Sequence, residues 1–374
     1  MRIRHPEGAS GAKRGVTDVL GQLLAWTAAG APAAVATVVD VRLSAPRPPG
    51  TRMAVGPEGQ VVGAVTGGCV EGTVVLAAEE VLAGGAPRLL HFGIADEEAW
   101  GVGLPCGGEV DVWVERFTAG PLASYAACVR DGERAALVTA VGGDVPRLGA
   151  HLLVRADGTV EGGLAEPWLD AAAVRCAERR WWNEHSGTEE ADGAQLFVAV
   201  AAPRPRLLIF GAIDFAAQLC ALARGAGWRP YVIDPRARFA TEERFPDAER
   251  VLAQWPQAAV EQLGGIDRAT SIAVLTHDPK LDDAALLLAL RSDASYVGAM
   301  GSRRTQERRL TRLRALGFDD DELERLSAPI GLDIGALTAE ETALSIMAEI
   351  VAQRRGHEGG RLRNAAGRIH GAAR

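Results

Sequence analysis

Aromatic residues make up only 5% of this 374-residue sequence, which also holds just five cysteines and four methionines and has no excess of positive charge. Five is an odd number of cysteines, thinly spread, so a disulfide scaffold is excluded and a reducing cytosol fits better. A net charge of −8 excludes a nucleic-acid binder that works through a global positive field. The first fifteen residues carry Arg2, Arg4, Lys13 and Arg14 without an apolar core, so no signal peptide is read there. The 21 uncharged residues from Val19 to Val39 are interrupted by Gly21, Gln22, Thr27 and the turn at Gly30–Pro32. They read as an amphipathic helix, a turn and a strand, not as a membrane span. A cytoplasmic protein without membrane or nucleic-acid partners is therefore expected.

What is present is an ordinary globular composition, 48% hydrophobic and 24% charged, with a mean hydropathy of +0.04. Such a chain is long enough for two or three domains. Its charge is uneven: the last 21 residues hold six arginines against the single acid Glu358. Residues 355–374, rich in glycine and arginine, read as a disordered basic tail.

The first half contains a duplication. At a constant offset of 99, residues 50–80 overlie residues 149–179 with eight identities in 31 ungapped positions, among them Gly50/Gly149, Gly59/Gly158, Gly63/Gly162 and Glu79/Glu178. Upstream, Ala33–Val39 matches Ala135–Val141. Each copy reads as helix, strand, β-hairpin, helix and closing strand, with hairpins Thr51–Val55/Val61–Val65 and Leu152–Arg155/Thr159–Leu164. Helices are expected over Glu71–Ala83 and Asp170–Trp182. The copies differ at one corner. Thr66-Gly-Gly-Cys-Val-Glu71 in the first becomes Ala165-Glu-Pro-Trp-Leu-Asp170 in the second, so a hairpin-to-helix corner needs neither the glycines nor the thiol.

After Pro203 short apolar strands alternate with helices: Leu207–Phe210, a helix over 214–224, Tyr231–Ile233, Glu249–Leu252, Ile272–Leu275, a helix over 281–290, and Tyr296–Gly298. This is the pattern of a Rossmann-like, doubly wound parallel sheet. A last helix opens at Thr338, which with Glu341 spells a capping box. The fold class is thus α/β: an N-terminal α+β region with an internal duplication, then a C-terminal Rossmann-like domain. The expected boundaries are 16–118, 121–203 (the copy without the cysteine corner), 204–354 and the tail.

Two groups of residues could carry chemistry. In the second half Gly211-Ala-Ile-Asp-Phe-Ala216 follows the first strand, but the middle glycine of the dinucleotide fingerprint is Ile213, and Asp214 places a carboxylate where phosphate would bind. NAD(P) binding is disfavoured on that ground, although Asp234 stands where a ribose-binding acid belongs. The strand-end loops Asp234–Arg236, Thr276–Lys280 and Gly298–Arg304 should face one crevice, made basic by Arg236, Lys280, Arg303 and Arg304 and suited to a phosphate-bearing ligand. In the first half Gly67-Gly-Cys69-Val-Glu71 and Cys106-Gly-Gly-Glu109 set thiols in glycine-rich corners, open to soft or covalent sulfur chemistry. No zinc-ligand spacing occurs, and His91 is the one nearby candidate for a further ligand. Cys128, Cys176 and Cys220 occupy apolar helical positions and read as core.

These motifs, with Pro49–Met53, Phe239-Ala-Thr241, Arg244-Phe-Pro246 and Pro329–Gly335, resemble those of the XdhC/CoxI family of accessory proteins for molybdenum hydroxylases, over residues 30–350. The resemblance implies a maturation factor more than a catalyst. It would bind the molybdenum cofactor (molybdopterin, a pterin dithiolene with a phosphate), protect it during sulfuration and deliver it to a xanthine-dehydrogenase- or carbon-monoxide-dehydrogenase-type apoenzyme. A cysteine desulfurase is a further partner on this view, and a homodimer is expected. The cofactor-binding candidates are Gly67, Gly68, Cys69, Glu71, Cys106, Gly107 and Gly108 in the first half. In the second half they are Gly211, Asp234, Arg236, His277, Asp278, Lys280, Gly301, Ser302, Arg303 and Arg304. No catalytic or metal-ligating residue is assigned. Three other readings stay open: an NAD(P)-dependent oxidoreductase, a sulfurtransferase carrying persulfide on Cys69 or Cys106, and a scaffold.

Overall fold

The structure, a computed structural model, describes residues 18–42, 47–68, 70–93, 108–182, 184–276 and 278–364. The chain divides into two compact units, residues 1–203 and 204–374.

The first unit builds one motif twice. Its first copy runs α1 (Val19–Ala28), β1 (Ala34–Arg42), β2 (Arg52–Val55), β3 (Val61–Gly63), α2 (Glu71–Leu82), β4 (Arg88–Phe92) and β5 (Glu109–Arg116). The second runs α3 (Pro121–Asp131), β6 (Ala135–Gly143), β7 (His151–Arg155), β8 (Val160–Gly162), α4 (Pro167–Trp181), β9 (Gly187–Ala191) and β10 (Ala194–Ala201). The sheets have the same order, β3-β2-β1-β5-β4 and β8-β7-β6-β10-β9. Even the irregularities repeat. One residue bulges from the first strand of each copy, Val39 against β5 and Val141 against β10. Gly63 (φ +82°) and Gly162 (φ +87°) close the hairpins, and a Cβ on either would stand within 2.7 Å of the Arg52 or His151 carbonyl oxygen. Glycine at these paired positions is therefore a backbone requirement.

Two details differ from the sequence expectation. Each copy closes with two strands, not one. The added strands β4 and β9 lie at sheet edges with mixed burial, so they lack the apolar alternation that announces a strand. Helix α4 also starts three residues early, because Pro167 sits in its first turn, where proline's fixed φ already suits a helix.

Side chains alternate between two cores on each sheet. In the first sheet Ala34, Ala36, Val38, Val112 and Val114 pack against α2. Val35, Ala54 and Trp113 face the other way. They join Leu23 and Trp26 of α1, Tyr125 of α3, and Leu137, Leu153 and Phe197 of the second sheet. The outer face of the second sheet, with Val138, Leu152 and Leu196, packs on Leu169, Ala173 and Ala177 of α4. The two copies thus share one central core. The uncharged run 19–39 resolves into α1, a turn and β1, and among the described residues no helix is long and apolar enough to cross a membrane.

The second unit runs β11 (Arg206–Phe210), α5 (Asp214–Gly225), β12 (Arg229–Ile233), β13 (Arg250–Leu252), α6 (Pro256–Gln262), β14 (Thr270–Val274), α7 (Pro279–Leu290), β15 (Tyr296–Ala299), α8 (Arg303–Ala315), α9 (Asp320–Glu324), β16 (Leu326–Ser327) and α10 (Ala339–Arg354). All six strands are parallel in the order β13-β12-β11-β14-β15-β16. Counted within the unit this is 3-2-1-4-5-6, the dinucleotide-fold order, with its switch point between β11 and β14. Leu207, Ile209, Val232 and Ala273 pack toward α5 and α10, and Leu208, Phe210, Ile233 and Ile272 toward α6, α7 and α8. The capping box at Thr338 and Glu341 is formed. Of the tail expected over residues 355–374, Leu362–Asn364 make one short turn, and the part from residue 365 onward lies outside the described residues.

Candidate functional site

The corner leading from β3 into α2 is wrapped around one carboxylate. Glu71 opens α2. It accepts hydrogen bonds from the backbone N–H groups of Thr66 (2.9 Å), Gly67 (2.8 Å), Gly68 (2.7 Å) and Val70 (3.2 Å), and from the Thr66 hydroxyl (3.1 Å). Amides converging at a helix N-terminus make an anion nest, and here the chain fills it with its own side chain. Burial opposes the ionisation of Glu71. The N–H groups of Gly67 and Thr66 outweigh it and bring its pKa down to about 2. Gly67 and Gly68 lie at φ +107° and +132°, and a Cβ on either would meet nothing within 4 Å. Glycine is needed there for conformation, and it leaves the backbone open to approach.

The second copy serves as an internal comparison. Its equivalent acid, Asp170, accepts from Leu164 N at 2.6 Å, and the residues aligned with the two glycines are Glu166 and Pro167. It joins β9 to β10 through Asp192 and Gly193 alone, both at positive φ, the mirror-image turn that suits a tight hairpin. The first copy places residues 93–108 between the equivalent strands β4 and β5.

The glycine corner and the two strand ends that flank residues 94–107 stand at the same end of the first sheet. Arg42 pairs with Glu109, Phe92 with Val110 and Met53 with Gly63, so β1, β3 and β4 run toward the end from which β2 and β5 set out, with β2 starting opposite Thr37. Helix α2 starts at that end and packs on β1 and β5. Arg42 there reaches Asp40 (3.2 Å), Glu109 (3.3 Å) and Asp111 (3.5 Å), and His91 Nδ1 lies 2.6 Å from Asp111. Beside them a cleft of about 200 Å³ opens between the two sheets, lined in part by Asp40, Asp111, Glu189, Glu190 and Gln195. Its excess of carboxylates repels a phosphate.

At the strand ends of the second unit the side chains are largely engaged with each other. Asp234 is fully buried and accepts from Ala212 N (2.9 Å), Arg236 N (2.9 Å), Arg236 Nε (2.9 Å) and Arg236 Nη2 (2.7 Å). Burial would raise this carboxyl, yet Arg236 and the Ala212 amide hold it below the usual range. The acid placed for a ribose thus holds a guanidinium. Arg244 closes the same turn, donating to Ala212 O (3.1 Å), Phe239 O (2.9 Å) and Asp214 (3.1 Å). Gly211, at φ +114°, would bring a Cβ to 3.0 Å from Thr276 N, so its glycine serves the close approach of two strand ends.

Asp278 caps α7 through Lys280 N (2.9 Å), and Ser302 caps α8 through Thr305 N (3.2 Å). Arg303 and Arg304 form the first turn of α8. With Lys280 they are exposed and make no ion pair with a described residue. Gly301 adjoins buried Arg309, which donates to Met300 O (2.8 Å) and Asp282 (2.9 Å) and so anchors the loop to α7. Sequence reasoning missed the tethering roles of Arg244 and Arg309; Arg244-Phe-Pro246 was visible as a motif, whereas Arg309 is one of many arginines on α8.

The structure therefore brings Gly67, Gly68, Glu71 and Gly108 to one end of the first sheet. It brings Gly211, Asp234, Arg236, Asp278, Lys280, Gly301, Ser302, Arg303 and Arg304 to the strand ends of the second unit. Cys69, Cys106, Gly107 and His277 lie outside the described residues. Cys128, Cys176 and Cys220 are buried and free; burial pushes the Cys220 thiol up to about 12, which removes it from nucleophilic chemistry. Among the described residues no group of three or more His, Cys, Asp or Glu side chains is placed to hold a metal.

Residues 207–350 match the XdhC Rossmann domain, and residues 26–93 and 128–190 match the XdhC and CoxI family. The latter segments each begin in the first helix of a copy, and they end one residue past β4 and within β9. A Bacillus subtilis protein described as a probable component of xanthine dehydrogenase is 27% identical over 86% of this chain and 93% of its own length. The molybdenum cofactor insertion chaperone PaoD of Escherichia coli is 26% identical over 86% and 83%. A crystal structure described as a xanthine dehydrogenase from Bacillus halodurans shares the fold with a TM-score of 0.63, at 24% identity, over 94% of this chain and 98% of that one. With the cysteine-corner unit and the Rossmann unit each matched in the same chain, and in this order, this protein belongs to the XdhC and CoxI family.

Proposed function

We propose that the protein binds the molybdenum cofactor, protects it during sulfuration and delivers it to a molybdenum hydroxylase apoenzyme of the xanthine- or carbon-monoxide-dehydrogenase type. Family membership gives the broader role, an accessory function in the maturation of molybdenum-cofactor-dependent enzymes. The observation that carries the finer reading is the contrast between the two copies. One fold is built twice, yet only the first copy carries the open Gly67–Gly68 corner and a long 93–108 connection, whose flanking strand ends lie at the same end of the sheet as the corner.

The residues present suit such a ligand. Backbone at Gly67 and Gly68 can be approached closely, and thiols from Cys69 and Cys106, with Gly107 and Gly108 beside the latter, are soft partners for a sulfur-bearing metal centre. Glu71 holds its loop and is not offered to the ligand. In the second unit, taken by itself, Lys280, Arg303 and Arg304 offer exposed positive charge of the kind that a phosphate calls for, so either unit has groups suited to part of such a ligand. When bound, the cofactor supplies the molybdenum and dithiolene chemistry; the protein binds it, orients it and shields it from water and oxidant.

Anaerobic purification followed by molybdenum and pterin analysis tests this reading. Stoichiometric cofactor is expected. Cys69→Ala or Cys106→Ala should lower retention, or lifetime in air, by about tenfold, the worth of one good contact. If both variants bind and protect like wild type, the thiols have no part. Loss of the cofactor signal in every preparation, with added sulfur found on either cysteine after incubation with a cysteine desulfurase, would favour the persulfide carrier instead.

The strand order favours one further reading, an NAD(P)-dependent oxidoreductase. Against it, Ile213 replaces the middle glycine, and Asp234 and Arg244 occupy the amide and carbonyl of Ala212. Micromolar NAD binding by calorimetry, together with hydride transfer, would reverse that preference.

A further inference from the structure

The cleft of about 200 Å³ between the two sheets of the first unit has an apolar wall of Val39, Leu89 and Val141. Val39 and Val141 are the residues that bulge from β1 and β6, so the irregularity of each copy contributes to it. Most charged side chains around the cleft are already engaged. Asp40 and Asp111 pair with Arg42, Asp111 also meets His91, and Glu189 is held by Arg179 and Arg180. The side chains of Glu190 and Gln195 differ, because neither makes a hydrogen bond or ion pair with a described residue. They are direct partners across the β9–β10 ladder, so they stand side by side on one face of the sheet. Gln195 also lies opposite Gly142 of β6, where a Cβ would come within 2.6 Å of the amide oxygen, so the glycine leaves the amide its room.

We propose that Glu190 and Gln195 bind the amino-pyrimidinone edge of the pterin ring, an inference that rests on the cofactor reading above. That edge presents two adjacent N–H donors, from the exocyclic amine and the ring, followed by a carbonyl acceptor. A carboxylate accepts from both donors, and a neighbouring amide donates to the carbonyl. Val39, Leu89 and Val141 offer the apolar surface that a flat ring needs, and an apolar cavity of about 150 Å³ already admits benzene. The ring has no net charge, so the carboxylates that repel a phosphate do not oppose it. The cleft is also next to the cysteine-bearing connection, since Asp111 in its wall follows Gly108 by three residues.

Titration of the full chain with oxidised pterin, which carries no phosphate, dithiolene or metal, tests the site through the pterin fluorescence. Saturable one-to-one binding is expected. Glu190→Gln should weaken it about tenfold and Gln195→Ala about fivefold, the effects of losing a charged and a neutral hydrogen bond, with unchanged circular dichroism spectra. Lumazine, with an oxygen in place of the 2-amino group, should bind wild type at least about tenfold more weakly, because an acceptor then faces the carboxylate. Glu190→Gln should narrow that gap. Guanosine carries the same edge on a purine, and tighter binding of guanosine than of pterin would overturn the pterin assignment. Absence of saturable pterin binding, or binding indifferent to both variants, overturns the inference; molybdenum and pterin copurifying with the wild type would then leave the cofactor reading standing. Pterin binding that depends on Glu190, in a protein that never retains the cofactor, supports the cleft and overturns the chaperone reading instead.

Discussion

Glu71 behaves as it does because four amides and a hydroxyl converge on it, and this has a measurable consequence. Its folded pKa of about 2 lies below the ordinary 4.5. The stabilisation it contributes is therefore fully present above pH 4.5 and is lost as pH falls through about 2. Glu71→Gln should cost about 1 kcal/mol at neutral pH, a value discounted for the solvent around the corner. In urea denaturation the gap between wild type and variant should shrink below pH 4.5 and close near pH 2; a gap independent of pH would show that the charge is immaterial. The sequence placed a carboxylate beside two glycines, but not the direction of its oxygens. The same holds for Asp234, whose position was legible while its pairing with Arg236 depended on how the loop after β12 folds back.

Elements were readable where local chemistry was strong. The Thr338 and Glu341 spacing announced the start of α10, and both reciprocal bonds form, Thr338 N to Glu341 at 3.1 Å and Glu341 N to Thr338 at 3.2 Å. Thr338→Ala should lower stability by about 1 kcal/mol in chemical denaturation, and Thr338→Asp should stay close to wild type. If Thr338→Ala costs nothing, packing on α5 alone holds the helix. By contrast, α8 was hidden because it buries only Arg309 and Leu313 and, apart from Leu310 and Ala315, is otherwise polar or charged. β16 was hidden because two residues carry no period, and β4 and β9 because edge strands need not alternate.

For the molecule as a whole, the consequential feature is the core shared by the two copies in residues 1–203. Leu153, fully buried in the second copy, joins the cluster that holds Val35, Ala54 and Trp113 of the first. Leu153→Ala should cost about 3 kcal/mol. Hydrogen exchange should show β1 and β6 amides losing protection together; loss confined to β6 and β7 would mean that the copies unfold separately. The duplication, the parallel unit and the glycine corner at Gly67 and Gly68 follow from the sequence alone, because glycine spacing, apolar periodicity and caps act over a few residues. That the glycine corner and the strand ends flanking residues 94–107 stand at one end of one sheet, and that the fingerprint turn is closed by Asp234 and Arg244, were decided only in three dimensions. Strand pairing and burial join residues far apart in the chain, and no local pattern encodes which side chains meet there.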